Sequence, residues 1–291
     1  MESLVTTVKR NILKTQVSGI EYPSNSIDLA RNIRIHAVKM VAQSNSSHIG
    51  SSLSMADILA VLYMDVLRVD PKQPDWPERD RFILSKGHAA AGLYAALALR
   101  GFFPMAWLER FCQVGSLLLG HVSHHVPGIE LSTGSLGHGL PVGCGIALTD
   151  KRERKSHRVF VMLSDGECNE GSNWEAALFA AHHKLDNLVA IVDANELQGF
   201  GRVDEILKLA PFAEKWRAFH WTVREVDGHD HQALRTLLKQ VPFEPDHPSC
   251  VLAHTTKGKG VSFMEDQLAW HYKSPNPEQL QQALQQLGEK R

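Results

Sequence analysis

The sequence predicts an α/β fold with a mainly parallel sheet flanked by helices. Three observations carry that expectation. VFVML (159–163) and LVAIVD (188–193) are unbroken apolar runs, the pattern of strands covered on both faces. NWEAALFAAHHK lies between them at helical length and completes a β-α-β unit. Helical and strand-like segments then alternate to the end of the chain.

Each element follows from its own pattern. Residues 1–25 read as an N-terminal extension, and 26–291 as one domain. SIDLARNIRIHAVKMVAQS places Ile27, Ala30, Ile33, Ala37, Val38 and Val41 at helical spacing, with Ser26 as the expected N-cap. SNSSHIGSSLS interrupts that pattern with small polar residues. Ser54 and Asp57 have capping-box spacing ahead of a helix over MADILAVLYMDVL. DPKQPDWPERD is proline-rich and reads as a rigid loop. RFILS is a short strand, followed by KGH and the Ala-rich helix AAAGLYAALALRG. Pro104 is expected in the first turn of a helix over FFPMAWLERFC. Residues 115–139 form a long loop rich in Gly, His and Ser, and LPVGCGIALTDKRE a tightly packed helix. Beyond the β-α-β unit come a helix around PFAEKWRAF, a strand WTVREVD, a helix DHQALRTLLKQV, a strand CVLAHTT and a polar helix from Pro277.

Bulk properties narrow the partners. With 31 Lys+Arg against 32 Asp+Glu, the chain carries no net field to attract nucleic acid or a membrane surface. No apolar run approaches the length of a membrane-spanning helix, and the N-terminus lacks the apolar core of a secretory signal. Cys112, Cys144, Cys168 and Cys250 form no CxxC pair, which fits a reduced, cytoplasmic chain.

The chemistry-bearing residues lie at the strand exits. Ligands of an open parallel sheet bind beyond the carboxyl ends of its strands. Asp165 follows VFVML and Asn195 follows LVAIVD, so adjacent strands would bring both to one sheet edge. Both offer hard oxygen donors suited to Mg²⁺ or Ca²⁺. Gly166 would let the backbone approach a diphosphate near a helix start. The alternative is purely local, with Asp165 capping a helix and Asn195 making a turn.

These residues also carry a family resemblance. LSDGECNEG followed by DANELQGFG resembles the thiamine-diphosphate motif, in which GDG is followed about thirty residues later by Asn. SSHIGSSLSMADILAVLY, DRFILSKGHAAAGLYAALA, GHVSHHVPGIELSTGSLGHGLPVGCGIAL, EVDGHD and HTTKGKGVSFMEDQLAWH are similar, in order, to the amino-terminal half of transketolases. The likeness covers roughly residues 26–285 and is greatest to split transketolases, whose two halves are separate chains.

The resemblance implies a thiamine-diphosphate-binding fold, of which this chain is the diphosphate domain. It assigns Asp165, the Asn195 side chain and the Leu197 carbonyl to Mg²⁺ (or Ca²⁺ or Mn²⁺), with Gly166 near the diphosphate. His88 would contact the diphosphate region, and Gly134, Ser135 and Leu136 the aminopyrimidine ring. His48, His121 and His271 would line the substrate channel as catalytic histidines, His271 also reaching the diphosphate. Glu170 matches a glutamate linking paired active sites at an interface. Neutral or cationic histidine suits the proton movements of ketol transfer near pH 7. His124, His125, His138, His182 and His183 receive no role, the last two as mid-helix neighbours that cannot both face one site. Trp174 and Trp216 read as core or interface aromatics.

Two positions depart from the family pattern. Ser164 stands where GDG begins with Gly, and Glu196 where a Gly usually follows the Asn. The glutamate that activates the aminopyrimidine lies, in the family, on a pyrimidine-binding domain, and no second α/β domain follows in this sequence. The implied function is therefore one subunit of a two-subunit transketolase, moving a two-carbon ketol unit from a phosphorylated ketose to an aldose. A separate pyrimidine-domain subunit would complete each site in an α₂β₂ assembly. The alternatives are the same cofactor-binding subunit in a related C–C bond-forming transferase or synthase, and a non-catalytic binding subunit.

Overall fold

A computed structural model of the protein describes residues 23–289, so the expected N-terminal extension lies almost wholly outside the described residues. Five strands form one sheet: β1 (Arg81–Leu84), β2 (Val159–Ser164), β3 (Leu188–Ala194), β4 (Thr222–Asp227) and β5 (Ser249–His254). Their order is β1-β2-β3-β5-β4, and every pair is parallel.

Helices cover both faces, which is why the central strands β2 and β3 are apolar almost throughout, whereas β4, at the sheet edge, carries the exposed Arg224 and Glu225. One face receives α1 (Ser26–Ser44), α2 (Ile49–Ser54), α3 (Ala56–Val61, ending in a π-helical turn over Leu62–Val66) and α4 (Ala90–Leu99). Phe160, Met162, Val189 and Ile191 point into that layer. The other face receives α5 (Gly139–Arg152), α6 (Gly171–His182) and, beyond the short α7 (Val203–Ile206), α8 (Phe212–Ala218). Val159, Val161, Leu163, Ala190 and Val192 point there, following the period-two alternation of a strand. Trp216 is fully buried in this layer against Trp174 and Trp221. The helices α9 (His231–Leu238) and α10 (Pro277–Gln286) complete the first layer. Every residue of α4 is buried, so its Ala-rich composition lets it sit between other helices.

Several local expectations are corrected. The N-cap of α1 is Asn25, whose side chain accepts from Asp28 N at 2.9 Å; Ser26 is buried and bonds His231 instead. Helix resumes already at Ile49, within the stretch expected to be broken. The Ser54/Asp57 capping box does not form. Ser54 Oγ donates to Asp193 at 2.5 Å, and Asp57 accepts from Arg34 (3.0 and 2.5 Å), His229 (2.7 Å) and His231 (3.0 Å). A buried carboxylate takes the strongest donors within reach, and these tertiary partners outcompete a local cap. After Pro104, itself the N-cap, residues Met105–Arg110 form 3₁₀ turns rather than an α-helix. His182 and His183 stand at the end of α6, not in its middle.

Candidate active site

The site grows from the carboxyl ends of β2 and β3. Their register pairs Ser164 with Asp193, so Asp165 and the Asn195 loop leave the sheet side by side. Asp165 is 3 % exposed, and its two oxygens accept from Gly166 N (2.7 Å) and Glu196 N (2.5 Å). Asn195 Oδ1 accepts from Leu197 N at 3.2 Å, and Nδ2 donates to Asp193 at 3.3 Å. The local cap and turn are therefore both present. The Glu196 amide ties them together across the edge. Burial, then the nearby Asp193 charge, pushes the Asp165 carboxyl up to about 6, a group that gains from a cation beside it.

Two buried lysines supply positive charge there. Lys86, two residues beyond β1, pairs with Asp193, both fully buried. Burial alone would raise the Asp193 carboxyl; Lys86, with hydrogen bonds from Ser54 and Thr255, outweighs it and holds the group below its usual range. Lys257, beyond β5, donates through Nζ to the Leu197 carbonyl at 2.7 Å and lies 3.1 Å from His271 Nδ1. Burial lowers its ammonium to about 8. The oxygen that the resemblance assigns to a metal thus faces a cation in this structure. The Gln198 side chain packs over Gly166, and its Nε2 is buried without a hydrogen-bond partner. An orphaned buried donor beside a lysine, a glycine turn and a carboxyl of raised pKa fits a diphosphate with a divalent cation. Among the described residues no three His, Cys, Asp or Glu side chains gather as metal ligands; a set of one carboxylate, one amide and one backbone carbonyl is of a different kind.

Four histidines come together from four segments. The His48 ring centroid lies 5.1 Å from His88, 5.9 Å from His121 and 5.0 Å from His271, and His88 lies 5.8 Å from His271. The backbone fixes their placement. His48 N donates to His271 O at 2.9 Å, Val122 N to Gly87 O at 3.2 Å, and Tyr94 Oη to His121 O at 3.0 Å. Burial, then His121 and Lys257, lowers His48 to about 4; burial and Lys257 lower His271 to about 3. His88 is held well below its usual value by burial and Lys86. These three rings are neutral at pH 7, so each keeps a nitrogen lone pair that can accept a hydrogen bond.

Gly134, Ser135 and Leu136 lie on the adjoining loop. A Cβ on Gly134 would sit 3.0 Å from His121 Cδ2, so this segment runs against the histidine cluster. Thr133 Oγ1 donates to Leu84 O at 2.6 Å and pins the loop to the end of β1. Gly134 and Ser135 are exposed on this chain, as is Glu170. The two departures are both accommodated. Ser164 Oγ accepts from Glu167 N at 3.2 Å, while Ser164 N donates to Glu167 Oε2 at 3.3 Å. That reciprocal pair is a capping box on the turn that carries Asp165. Glu196 adopts a left-handed backbone (φ 63°) with its side chain exposed, so its charge is directed to solvent.

Residue-level reading of the sequence missed Lys86, Asp193, Lys257, Gln198 and Glu167. The signal for Asp193 and Lys86 was present: an acid ending an apolar strand and a lysine following one require a buried partner. Nothing local marks Lys257 or Gln198.

A parallel α/β layer that gathers two carboxyls, two ammonium groups and neutral imidazoles at the carboxyl edge of its sheet belongs to the class of α/β proteins that hold a ligand beyond their strand ends. Comparison with known proteins makes the class specific. The family described as transketolase, thiamine diphosphate binding domain, matches residues 26–290, and the chain belongs to it. It is 44% identical over 261 residues to an apulose-4-phosphate transketolase subunit of Actinobacillus succinogenes, covering 89% of this chain and 94% of that one. It is 41% identical over 243 residues to the 6-deoxy-6-sulfo-D-fructose transketolase subunit SqwG of a Clostridium species, covering 83% and 88%. The crystal structure of transketolase from Campylobacter jejuni superposes with a TM-score of 0.84 at 32% identity, over 89% of this chain but 42% of that chain. The chain thus spans less than half the length of the solved transketolase.

Proposed function

We propose that residues 26–291 form the thiamine-diphosphate- and Mg²⁺-binding subunit of a two-chain transketolase, working in the cytoplasm. The reaction is transfer of a two-carbon ketol unit from a ketose to an aldose. The observation that carries this reading is the convergence of His48, His88, His121 and His271 beside Asp165, Leu197 and Lys257, in a chain of this family.

Asp165, the Asn195 side chain and the Leu197 carbonyl would hold the metal. Gln198 Nε2 and Lys257 are donors for diphosphate oxygens, with Gly166 leaving the backbone approachable and His88 alongside. Gly134, Ser135 and Leu136 would bear on the aminopyrimidine ring. When bound, thiamine diphosphate supplies the stabilisation of a carbanion. The imidazoles of His48, His121 and His271 would hydrogen-bond substrate hydroxyl and carbonyl oxygens and relay protons there, once bound substrate and cofactor charges offset the burial that lowers His48 and His271. Glu170, exposed on this chain, would lie at the contact with a neighbouring protomer. The partner would be a pyrimidine-domain chain supplying the activating carboxylate, in an α₂β₂ assembly. Relatives named as subunits, and the span of the chain within a full-length transketolase, support that reading.

A second reading keeps the cofactor and changes the donor. The two relatives carry different sugars in their names, so the fold of this subunit does not by itself choose one. A purely non-catalytic binding role is disfavoured, because Ser164 and Glu196, its motivation, leave the site's donors in place. The test is calorimetry with thiamine diphosphate and Mg²⁺ in the presence of the partner, followed by a two-carbon transfer assay over a panel of ketose donors. Asp165→Ala should abolish metal-dependent binding; unchanged binding would remove Asp165 from the site. Transfer activity by this chain alone would overturn the two-chain proposal.

A further inference from the structure

Glu167 has no part in the functions assigned above, yet its carboxylate is fully buried and takes hydrogen bonds from three separate segments. Oε2 accepts from Ser164 N at 3.3 Å, at the end of β2. Oε1 accepts from Ser85 Oγ at 2.5 Å, at the end of β1, and from Gly137 N at 2.9 Å, in the Gly-rich loop. The Ser85 hydroxyl accepts in turn from Gly139 N at 3.1 Å, where α5 begins. Glu167 also sits two residues from Asp165, in the 3₁₀ turn (Gly166–Asn169) that Asp165 caps.

We propose that Glu167 is a positioning residue that registers the Gly134–Leu136 segment against the Asp165–Gly166 turn. The proposal rests on the reading above, in which the first segment meets the cofactor's ring and the second its diphosphate and metal. The two segments are remote in sequence, and one carboxylate joins them. Gly137 is held from its other side too, because Ser172 Oγ donates to its carbonyl at 2.7 Å. Gly137 has φ 80°, and a Cβ there would lie 2.4 Å from Ser172 Oγ, so the loop has no slack at the clamp.

The chemistry asks for a carboxylate. All three groups facing Glu167 donate to it: Ser85 turns its O–H to Oε1 while its oxygen accepts from Gly139 N, and the other two are backbone amides with nothing to accept with. A glutamine would place its own donor against one of them. The spacing between ring and diphosphate subsites would then loosen, while each subsite kept its own residues.

The experiment compares the full-length wild type with Glu167→Gln and Ser85→Ala by two measurements. Amide hydrogen exchange is followed at Gly137 and Gly139. Binding of thiamine diphosphate and of inorganic pyrophosphate is titrated with Mg²⁺ and the partner chain present. Leaving one buried donor unpaired predicts about tenfold faster exchange at Gly137 and about tenfold weaker thiamine diphosphate binding in Glu167→Gln, with pyrophosphate binding changed less than about threefold. Ser85→Ala, which keeps the carboxylate, should show the same pattern more weakly, and it decides the matter if Glu167→Gln does not fold. Unchanged exchange at Gly137, or an equal loss for both ligands, would overturn the proposal. Wild type that fails to bind thiamine diphosphate would overturn the functional reading instead, and the exchange measurement would still decide this one.

Discussion

At the scale of single residues, two features have measurable consequences. The buried Lys86–Asp193 pair lies beneath the site, and Asp193 also accepts from Ser54 and Thr255. Removing one partner of such a pair leaves an uncompensated buried charge. Lys86→Met should therefore cost about 3–5 kcal/mol, read as a lowered denaturation midpoint. A loss below about 1 kcal/mol would mean that water or a neighbouring group takes over the charge. Glu196 is the second feature. It holds a left-handed backbone that costs a non-glycine residue about 1–2 kcal/mol. Glu196→Gly should raise stability by up to about 1 kcal/mol, because glycine's extra unfolded-state entropy offsets part of the relief. It should leave cofactor affinity unchanged, since the Glu196 side chain faces solvent and only its amide reaches Asp165. Weakened binding in that variant would show that the side chain takes part.

At the scale of elements, strands were legible and connections were not. The runs around Phe82, Val161 and Ile191 read as strands because burial on both faces demands unbroken apolar sequence. The capping box assigned to Ser54 and Asp57 failed because both side chains found stronger partners far away in the chain. A real capping box lies at Ser164 and Glu167, where the family pattern marks Ser164 only as a departure. The Gly-rich loop between Thr133 and Gly139 gives a test at this scale. Gly137→Ala forces a Cβ to within 2.4 Å of Ser172 Oγ and 2.6 Å of Glu170 Cβ on a backbone that L-residues avoid. Thiamine diphosphate affinity should fall about tenfold or more, with α1–α4 and the sheet retaining their circular dichroism, the signature of local strain rather than unfolding. Normal affinity would show that the loop can shift without consequence for the site.

At the scale of the whole molecule, the buried histidines set a pH dependence. His36 and His48 titrate near 4 and His271 near 3 in the folded chain, burial being the first cause in each. The unfolded chain takes up these protons near 6.5 and the folded chain does not, so their effect is to lower stability as pH falls below 6.5. Asp165 acts oppositely, holding its proton up to about 6 in the folded state, so it costs stability as pH rises toward neutrality. Burial raises the Glu167 carboxyl too, which acts in the same sense as Asp165; the four lowered histidines, His88 among them, outnumber these two carboxyls, and the denaturation midpoint should drop between about pH 7 and pH 5. His48→Gln should flatten that slope; a midpoint that rises on acidification would contradict the assignment. The proposed partner contact belongs to this scale too. Phe200 and Tyr272 are 81 % and 56 % exposed, on the loop beyond Leu197 and next to His271, beside the site. Two exposed aromatics beside one site offer apolar area for the proposed partner to cover. Phe200→Asp should weaken association with the proposed partner subunit by about 2 kcal/mol in a binding titration, with the isolated chain's stability unchanged. Equal affinity would place the interface elsewhere.

By itself, the sequence determined the parallel α/β class, the strand positions and the exits at which Asp165 and Asn195 stand. Those properties are written within short windows, in hydrophobic run length and in the residues that end a run. The tertiary structure decided which charges meet. The order β1-β2-β3-β5-β4 carries Lys86 from one strand end and Lys257 from another to the Asp193 and Leu197 of a third. It also sets His48, His88, His121 and His271 ring to ring. Crossover connections make those juxtapositions, and no local pattern records them, because the partners of a buried charge are chosen by what the folded layers bring within hydrogen-bonding reach.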